Sequence, residues 1–140
     1  MDESVRYLIL DFANDESSVF LLTRGAWVWS KGEKFEEHPP MPVERVRPVL
    51  EALLRGGQVE LCDATRPEMG VLSLDDALAV VARETAWLPP GEPEWMAFEL
   101  ALTDLGDAEH RAICDARAQG ERAGQRLESD LATGDESERI

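Results

Sequence analysis

Phe98-Glu99-Leu100-Ala101-Leu102-Thr103-Asp104-Leu105-Gly106 reads as a strand that turns through a capping threonine into a helix. Met96, Phe98, Leu100 and Leu102 fall on one face of an extended chain running from Trp95, the period of a strand with one buried side. Thr103 belongs to the residues that cap helices. The helix behind it should span about Asp104 to Ala118, with Leu105, Ala108, Ala112, Ile113 and Ala116 as its apolar stripe. Upstream, Leu53-Leu54-Arg55-Gly56-Gly57-Gln58-Val59-Glu60-Leu61 reads as a helix that stops at glycine and becomes a strand. Glycine adopts the left-handed conformation that ends helices, and Gln58 to Cys62 alternates polar and apolar.

Working outward, Val43, Val46, Val49, Leu50, Leu53 and Leu54 recur at helical spacing, so a helix should run from Pro42 or Val43 to Arg55. Pro48 is awkward in its interior, because proline lacks an N–H and crowds the preceding turn. The segment is thus expected to fall into two pieces, the regular one starting near Arg47. Ser73-Leu74-Asp75-Asp76 predicts an N-terminal cap, with Ser73 accepting from the Asp76 amide and the acids facing the positive helix end. Ala77, Leu78, Val80, Val81 and Trp87 follow as its buried face, and Pro89-Pro90-Gly91 stops it.

The amino-terminal third is less decisive. Val5, Leu8, Ile9 and Phe12 share one helical face, which favours a helix over residues 4–13 rather than a buried strand. Asn14-Asp15-Glu16-Ser17 offers capping chemistry for a second helix carrying Val19, Phe20 and Leu22, with Ala26 as a further candidate for its stripe. Trp27-Val28-Trp29 is either a short strand or the aromatic end of that helix, with one tryptophan facing outward if it is extended. Residues 30–42, closed by Pro39, Pro40 and Pro42, read as a polar loop. Residues 1–119 should form one globular domain, and 120–140 an acidic, frayed tail.

Helix, strand, variable middle, strand and helix is the order of a winged-helix domain. Residues 47–118 resemble the winged-helix domains of MarR- and PadR-type transcriptional regulators. Leu102-Thr103-Asp104-Leu105-Gly106 is similar to the LTxxG step from wing strand to last helix in those families. Leu54-Arg55-Gly56-Gly57-Gln58-Val59 is similar to their LxxxGxV exit from the recognition helix. The chain also looks like small bacterial proteins with the same grammar and a helical insert ending in tryptophan. The resemblance implies an α+β, winged-helix-like fold, mostly helical with a small antiparallel sheet. It implies DNA binding through residues 45–58, with Arg45, Arg47 and Arg55 meeting phosphates, and possible homodimerisation through residues 4–26 and 104–119.

Charge points elsewhere. Against 14 Lys and Arg stand 29 Asp and Glu, a formal net charge of -15 over 140 residues. Residues 41–73 are nearly balanced, with five acids against four arginines, whereas residues 74–105 carry seven acids against Arg83 alone. The segment in the place of a basic wing, residues 63–97, is acidic and holds its own helix. Phosphate contacts supply most non-specific affinity for DNA, and such a field repels phosphate while attracting basic partners. The favoured function is therefore a non-catalytic module binding a basic or nucleic-acid-associated protein, in the manner of an immunity protein, an antitoxin or a DNA mimic. Trp29, Asp75, Asp76, Glu84, Glu92 and Glu94 are its candidate contacts; the alternative is the DNA-binding regulator.

Catalytic signatures are missing. The sequence holds no G-x-G-x-x-G, no G-x-x-x-x-G-K-[ST] and no G-x-S-x-G. Cys62 and Cys114 form no C-x-x-C pair and read as reduced core thiols. His38 reads as a solvated loop residue and His110 as an exposed helix residue. No cofactor and no metal site is expected. Met1-Asp2-Glu3 is acidic where a secretory signal is basic, and the run from Val5 to Phe12 is too short to span a bilayer, so the expected location is cytoplasmic. Basic residues are almost all Arg, a habit of GC-rich bacterial genomes.

Overall fold

The computed structural model describes residues 2–24, 26–30, 34–89, 91–92 and 98–120, with the backbone alone described at 26–30 and 34–38. Helix α1 is Glu3–Asn14. Strands β1, Ala26–Ser30, and β2, Lys34–His38, form one antiparallel pair. Helix α2 is Val43–Arg55, strand β3 is Val59–Asp63, helix α3 is Leu74–Val81 and strand β4 is Phe98–Leu102. Helix α4 covers residues 104–120. The architecture is a mostly helical α+β arrangement with two separate two-stranded antiparallel sheets.

Helix α1 is the centre of the molecule. Asp2 caps it by accepting from the Val5 amide at 3.2 Å, and eight of its residues are buried, from Val5 to Ala13. A helix apolar on nearly every side has neighbours on nearly every side. Here α2 and β4 pack against it, and α4 joins it through polar contacts described below. This surrounding burial explains why its sequence also suits a strand.

The β3–β4 pair sets Leu61 opposite Leu100 and Val59 opposite Leu102. Leu61 and Leu100 are fully buried, and Val59 and Phe98 nearly so. Both edges of this pair are partly covered. Ser18 bridges Glu99 and Leu100 donates to the Ser17 carbonyl at 2.9 Å, while Val71 bridges Cys62 and Leu72 donates to the Leu61 carbonyl at 2.9 Å. The core joins α1, α2, β3, β4 and α3 with Met41, Ala86 and Trp87.

Several expectations change. Helix α2 is one piece: Pro48 stays inside it on the exposed side, where its ring meets water rather than neighbours. The second helix shortens to a 3-10 turn, Val19–Thr23, that buries Val19 and Leu22 without a side-chain cap. Residues 30–42 are not all loop, since β2 pairs there with β1 in the register Ala26 to His38 and Ser30 to Lys34. Trp87 is buried as predicted, on a separate 3-10 turn, Glu84–Trp87, where its Nε1 donates to the Val81 carbonyl at 3.0 Å. The expected beginning of the last strand at Trp95 lies outside the described residues, as do the side chains of Trp27, Trp29 and His38 and all of residues 121–140.

The stripe expected on α4 is overturned. Leu105, Ala108, Ala112 and Ala116 are exposed, and only Ile113 of that set is half-buried. The inward face is instead Gly106, Glu109, His110, Cys114, Arg117 and Ala118. Alanine is small enough to be compatible with either face. The polar groups that α1 offers decided which side of α4 docks.

Candidate interaction surface

The two stretches that read as fold junctions meet in space. At the end of α2 the Gly57 amide donates to the Leu54 carbonyl and the Gln58 amide to the Leu53 carbonyl, at 3.2 and 3.1 Å. Gly57 has φ +76°, so this is a Schellman stop made with glycine in the left-handed region. The Thr103 hydroxyl accepts from the Gly106 amide at 3.1 Å and donates to the Gly57 carbonyl at 2.5 Å. The Thr103 amide donates to the Gln58 carbonyl at 3.1 Å. Gly106 lies so close to the Gln58 carbonyl that no Cβ fits between them. The L-T-x-x-G spacing thus has a packing reason in this chain: one threonine caps α4 and holds the turn after α2.

Beyond that junction a polar seam joins α4 to α1. Arg6 pairs with Glu109, which also accepts from Gln58 Nε2 at 3.3 Å. His110, read from sequence as exposed, is buried, with Nε2 3.0 Å from Asp11 Oδ1. Its ring stacks on Tyr7 at 6.0 Å between centroids, and the Arg117 guanidinium sits 3.5 Å from the centroid of the same Tyr7 ring. Cys114 Sγ is 3.6 Å from the same His110 Nε2 and 3.9 Å from the Tyr7 hydroxyl. Burial first, then the Asp11 and Cys114 charges, push the Tyr7 hydroxyl well above its ordinary pKa. Cysteine, histidine and aspartate lie together, yet this is not a relay. Asp11 and Cys114 face one and the same nitrogen, whereas a relay places its acid and its nucleophile on opposite nitrogens of the ring. The seam is a clasp between helices.

A signal for it existed in the sequence. Residues 110, 114 and 117 are spaced four and three apart, one face of a helix, and Asp11 interrupts an apolar run. Neither feature reveals its partner without the fold. The cysteines are half-buried and free rather than deep in the core.

The arginines of the DNA-binding alternative are not displayed together. Arg45 pairs with Asp2 at 3.0 Å. Arg47 donates from Nε to the Val81 carbonyl at 3.0 Å, tying α2 to the end of α3. Arg55 is exposed at the end of α2. Glu44 on the exposed side and half-buried Glu51 lower the positive potential of that face further.

The acidic set is more open. Asp75 and Asp76 are exposed in the first turn of α3, where Ser73 accepts from the Asp76 amide at 3.2 Å, and Glu84 and Glu92 are exposed beyond it. The side chain of Trp29 and all of Glu94 lie outside the described residues. Beside the acids stands a feature that periodicity did not find. Of the four exposed large hydrophobics among the described residues, three fall within six residues of one another: Met69 at 63% exposure, Val71 at 50% and Leu74 at 45%. Glu68, Asp75 and Asp76 flank them, with Arg66 the cation of the segment.

This apolar cluster is held by its backbone. The Asp63 carboxylate accepts from the Thr65 amide at 2.9 Å and hydroxyl at 2.6 Å, and the Thr65 contacts hold the Asp63 carboxyl below its ordinary value. Pro67–Met69 forms a 3-10 turn, Gly70 turns at φ +68°, and Val71 is then bridged to Cys62. Bonds on both sides fix where Met69 and Val71 stand. The signal available in sequence was a set of apolar residues inside a Pro- and Gly-containing turn, where solvated side chains are the rule.

Two of the clefts among the described residues bear on this surface. One of about 380 Å³ is lined by Thr23, Arg24, Pro40, Met41, Pro42, Val43 and Trp87. The other, of about 220 Å³, lies between the end of α1 and the start of α4 and includes Glu16, Asp104 and Asp107. Among the described residues no group of three or more His, Cys, Asp or Glu is placed to hold a metal ion, and no helix is long and apolar enough to cross a membrane. No protein-family model, curated protein or solved structure matches this chain.

Proposed function

We propose that this chain is a non-catalytic protein-interaction module. Its core is winged-helix-like, and the segment between β3 and β4 docks a basic or nucleic-acid-associated protein in the manner of an immunity protein, antitoxin or DNA mimic. The observation that carries this reading is the exposed Met69, Val71 and Leu74 cluster beside Glu68, Asp75 and Asp76. Apolar residues held in water by a fixed backbone are anchors that lose little entropy on binding. The acids around them favour a cationic rim on the partner and speed its approach. The order α2, β3, insert, β4, α4, with Thr103 joining both junctions, supports the winged-helix-like core. The single nitrogen shared in the α1–α4 seam supports a non-catalytic role.

Affinity capture from the native host tests the reading when wild type is compared with two variants, Met69→Ser/Val71→Ser/Leu74→Ser and Asp75→Asn/Asp76→Asn. A partner of basic composition should be retained by wild type, weakened by salt and lost from both variants. Retention by both variants sinks the docking reading. The regulator reading needs the Arg45, Arg47 and Arg55 face to meet phosphate. A low-salt DNA shift that disappears in the triple Ala variant would replace our proposal with it.

A further inference from the structure

Three turns meet at the cleft of about 380 Å³. Thr23 and Arg24 close the 3-10 turn Val19–Thr23, Met41 and Pro42 lead into α2, and Trp87 ends the turn Glu84–Trp87. Hydrogen bonds fix this frame. The Met41 amide donates to the Thr23 carbonyl at 3.1 Å, the Thr23 hydroxyl donates to the Phe20 carbonyl at 3.0 Å, and Trp87 is tied to Val81. A preformed cavity of that size falls within the range of about 300–1,000 Å³ typical of small-molecule sites. Met41 at 9% exposure and Trp87 at 6% offer the cleft only their edges, and half-buried Val43 adds apolar surface. A tryptophan so deeply buried presents no ring face on which a flat ligand could stack. The lining suits a flexible aliphatic chain.

Charge at this cleft opposes that of the molecule. Acids outnumber Lys and Arg by 29 to 14 in the chain. Among the described residues that line the cleft, however, the one charged group is Arg24, which is exposed and has no ion pair among the described residues. The start of α2 opens beside it. Pro42 supplies no side-chain cap there, so the partial positive charge of the helix end adds to that of Arg24. Glu44 follows on α2 but does not line the cleft. We propose that this cleft binds a small aliphatic carboxylate, with its chain along Met41, Val43 and Trp87 and its carboxylate on Arg24. The site is independent of the docking surface between β3 and β4.

Titration of the isotope-labelled chain with octanoate, 1-octanol and octylammonium tests the site, read on the amide signals of Thr23, Arg24, Met41 and Val43. Octanoate should shift these signals at millimolar concentration, more than 1-octanol and far more than octylammonium. A net charge of -15 by itself favours the ammonium, so this order is specific to the cleft. Arg24 is exposed, so Arg24→Gln should leave the signals of α1 in place while weakening octanoate about fivefold. Arg24→Glu should turn the preference toward octylammonium. Signals unmoved by octanoate, an equal response to octanoate and 1-octanol, full octanoate affinity in Arg24→Gln, or tighter binding of benzoate than of octanoate each overturns the proposal.

Discussion

Asp11 and His110 sit 3.0 Å apart with side chains 12% and 10% exposed, and each is the reason the other is tolerated there. Removing one partner of such a pair leaves an uncompensated buried group, which costs about 3–5 kcal/mol. His110→Ala should therefore unfold at much lower denaturant than wild type. Asp11→Ala/His110→Ala should be less destabilised than the sum of the single variants, a coupling that chemical denaturation measures in a double-mutant cycle. Additive losses would mean that the two side chains only fill space. Sequence could not show this pair, because its members are 99 residues apart and a histidine between Glu109 and Arg111 looks solvated. Thr103 and Gly57 were legible, since capping and left-handed turns are local chemistry. That Thr103 also bonds the Gly57 carbonyl was not, because nothing local connects residues 46 apart.

Helix α2 shows how strongly burial overrides a local break. Val46, Val49, Leu50, Leu53 and Leu54 form one buried face, and the helix runs through Pro48 to keep that face continuous. An interior proline costs roughly 3 kcal/mol against alanine in a helix. Pro48 is exposed, so Pro48→Ala restores the amide without disturbing the core. The variant should gain about 1–3 kcal/mol, read as a higher thermal midpoint with unchanged helical content. A midpoint at or below that of wild type would show that Pro48 costs this helix nothing. Helix α4 teaches the converse. Its alanines fit either face, so its stripe was misread, and the polar groups of α1 chose the side that docks. Strand β2 was missed because Glu36, Glu37 and His38 are poor strand formers, and pairing with β1 supplies what propensity does not.

At the scale of the whole molecule the carboxylates bear on how stability responds to pH. Two carboxylates tie segments together: Asp2 caps α1 and meets Arg45 of α2, and Asp63 holds the turn after β3. Hydrogen bonds hold both carboxyls below their ordinary value of 3.8, the Val5 amide first for Asp2 and the Thr65 side chain first for Asp63. The unfolded chain thus takes up protons at these sites before the folded chain does. Their stabilisation is complete above the ordinary value and is lost as pH falls through the lower, folded values. Between about pH 5 and about pH 3, thermal midpoints of Asp2→Asn/Asp63→Asn should fall less than those of wild type. Equal losses would place the acid sensitivity elsewhere.

The sequence by itself determined the local and the summed properties of this protein: the glycine stop after α2, the threonine cap before α4, the alternation of β3 and β4, and a net charge of -15. Those follow from backbone conformational preference, periodicity and charge, which need no partner to be read. The tertiary structure alone decided which face of α4 turned inward, that His110 and Asp11 became a buried pair, that Arg45 and Arg47 became structural ties, and that Met69, Val71 and Leu74 were left in water. Each of these depends on which distant group stands opposite. That opposition is fixed only when the chain closes on itself.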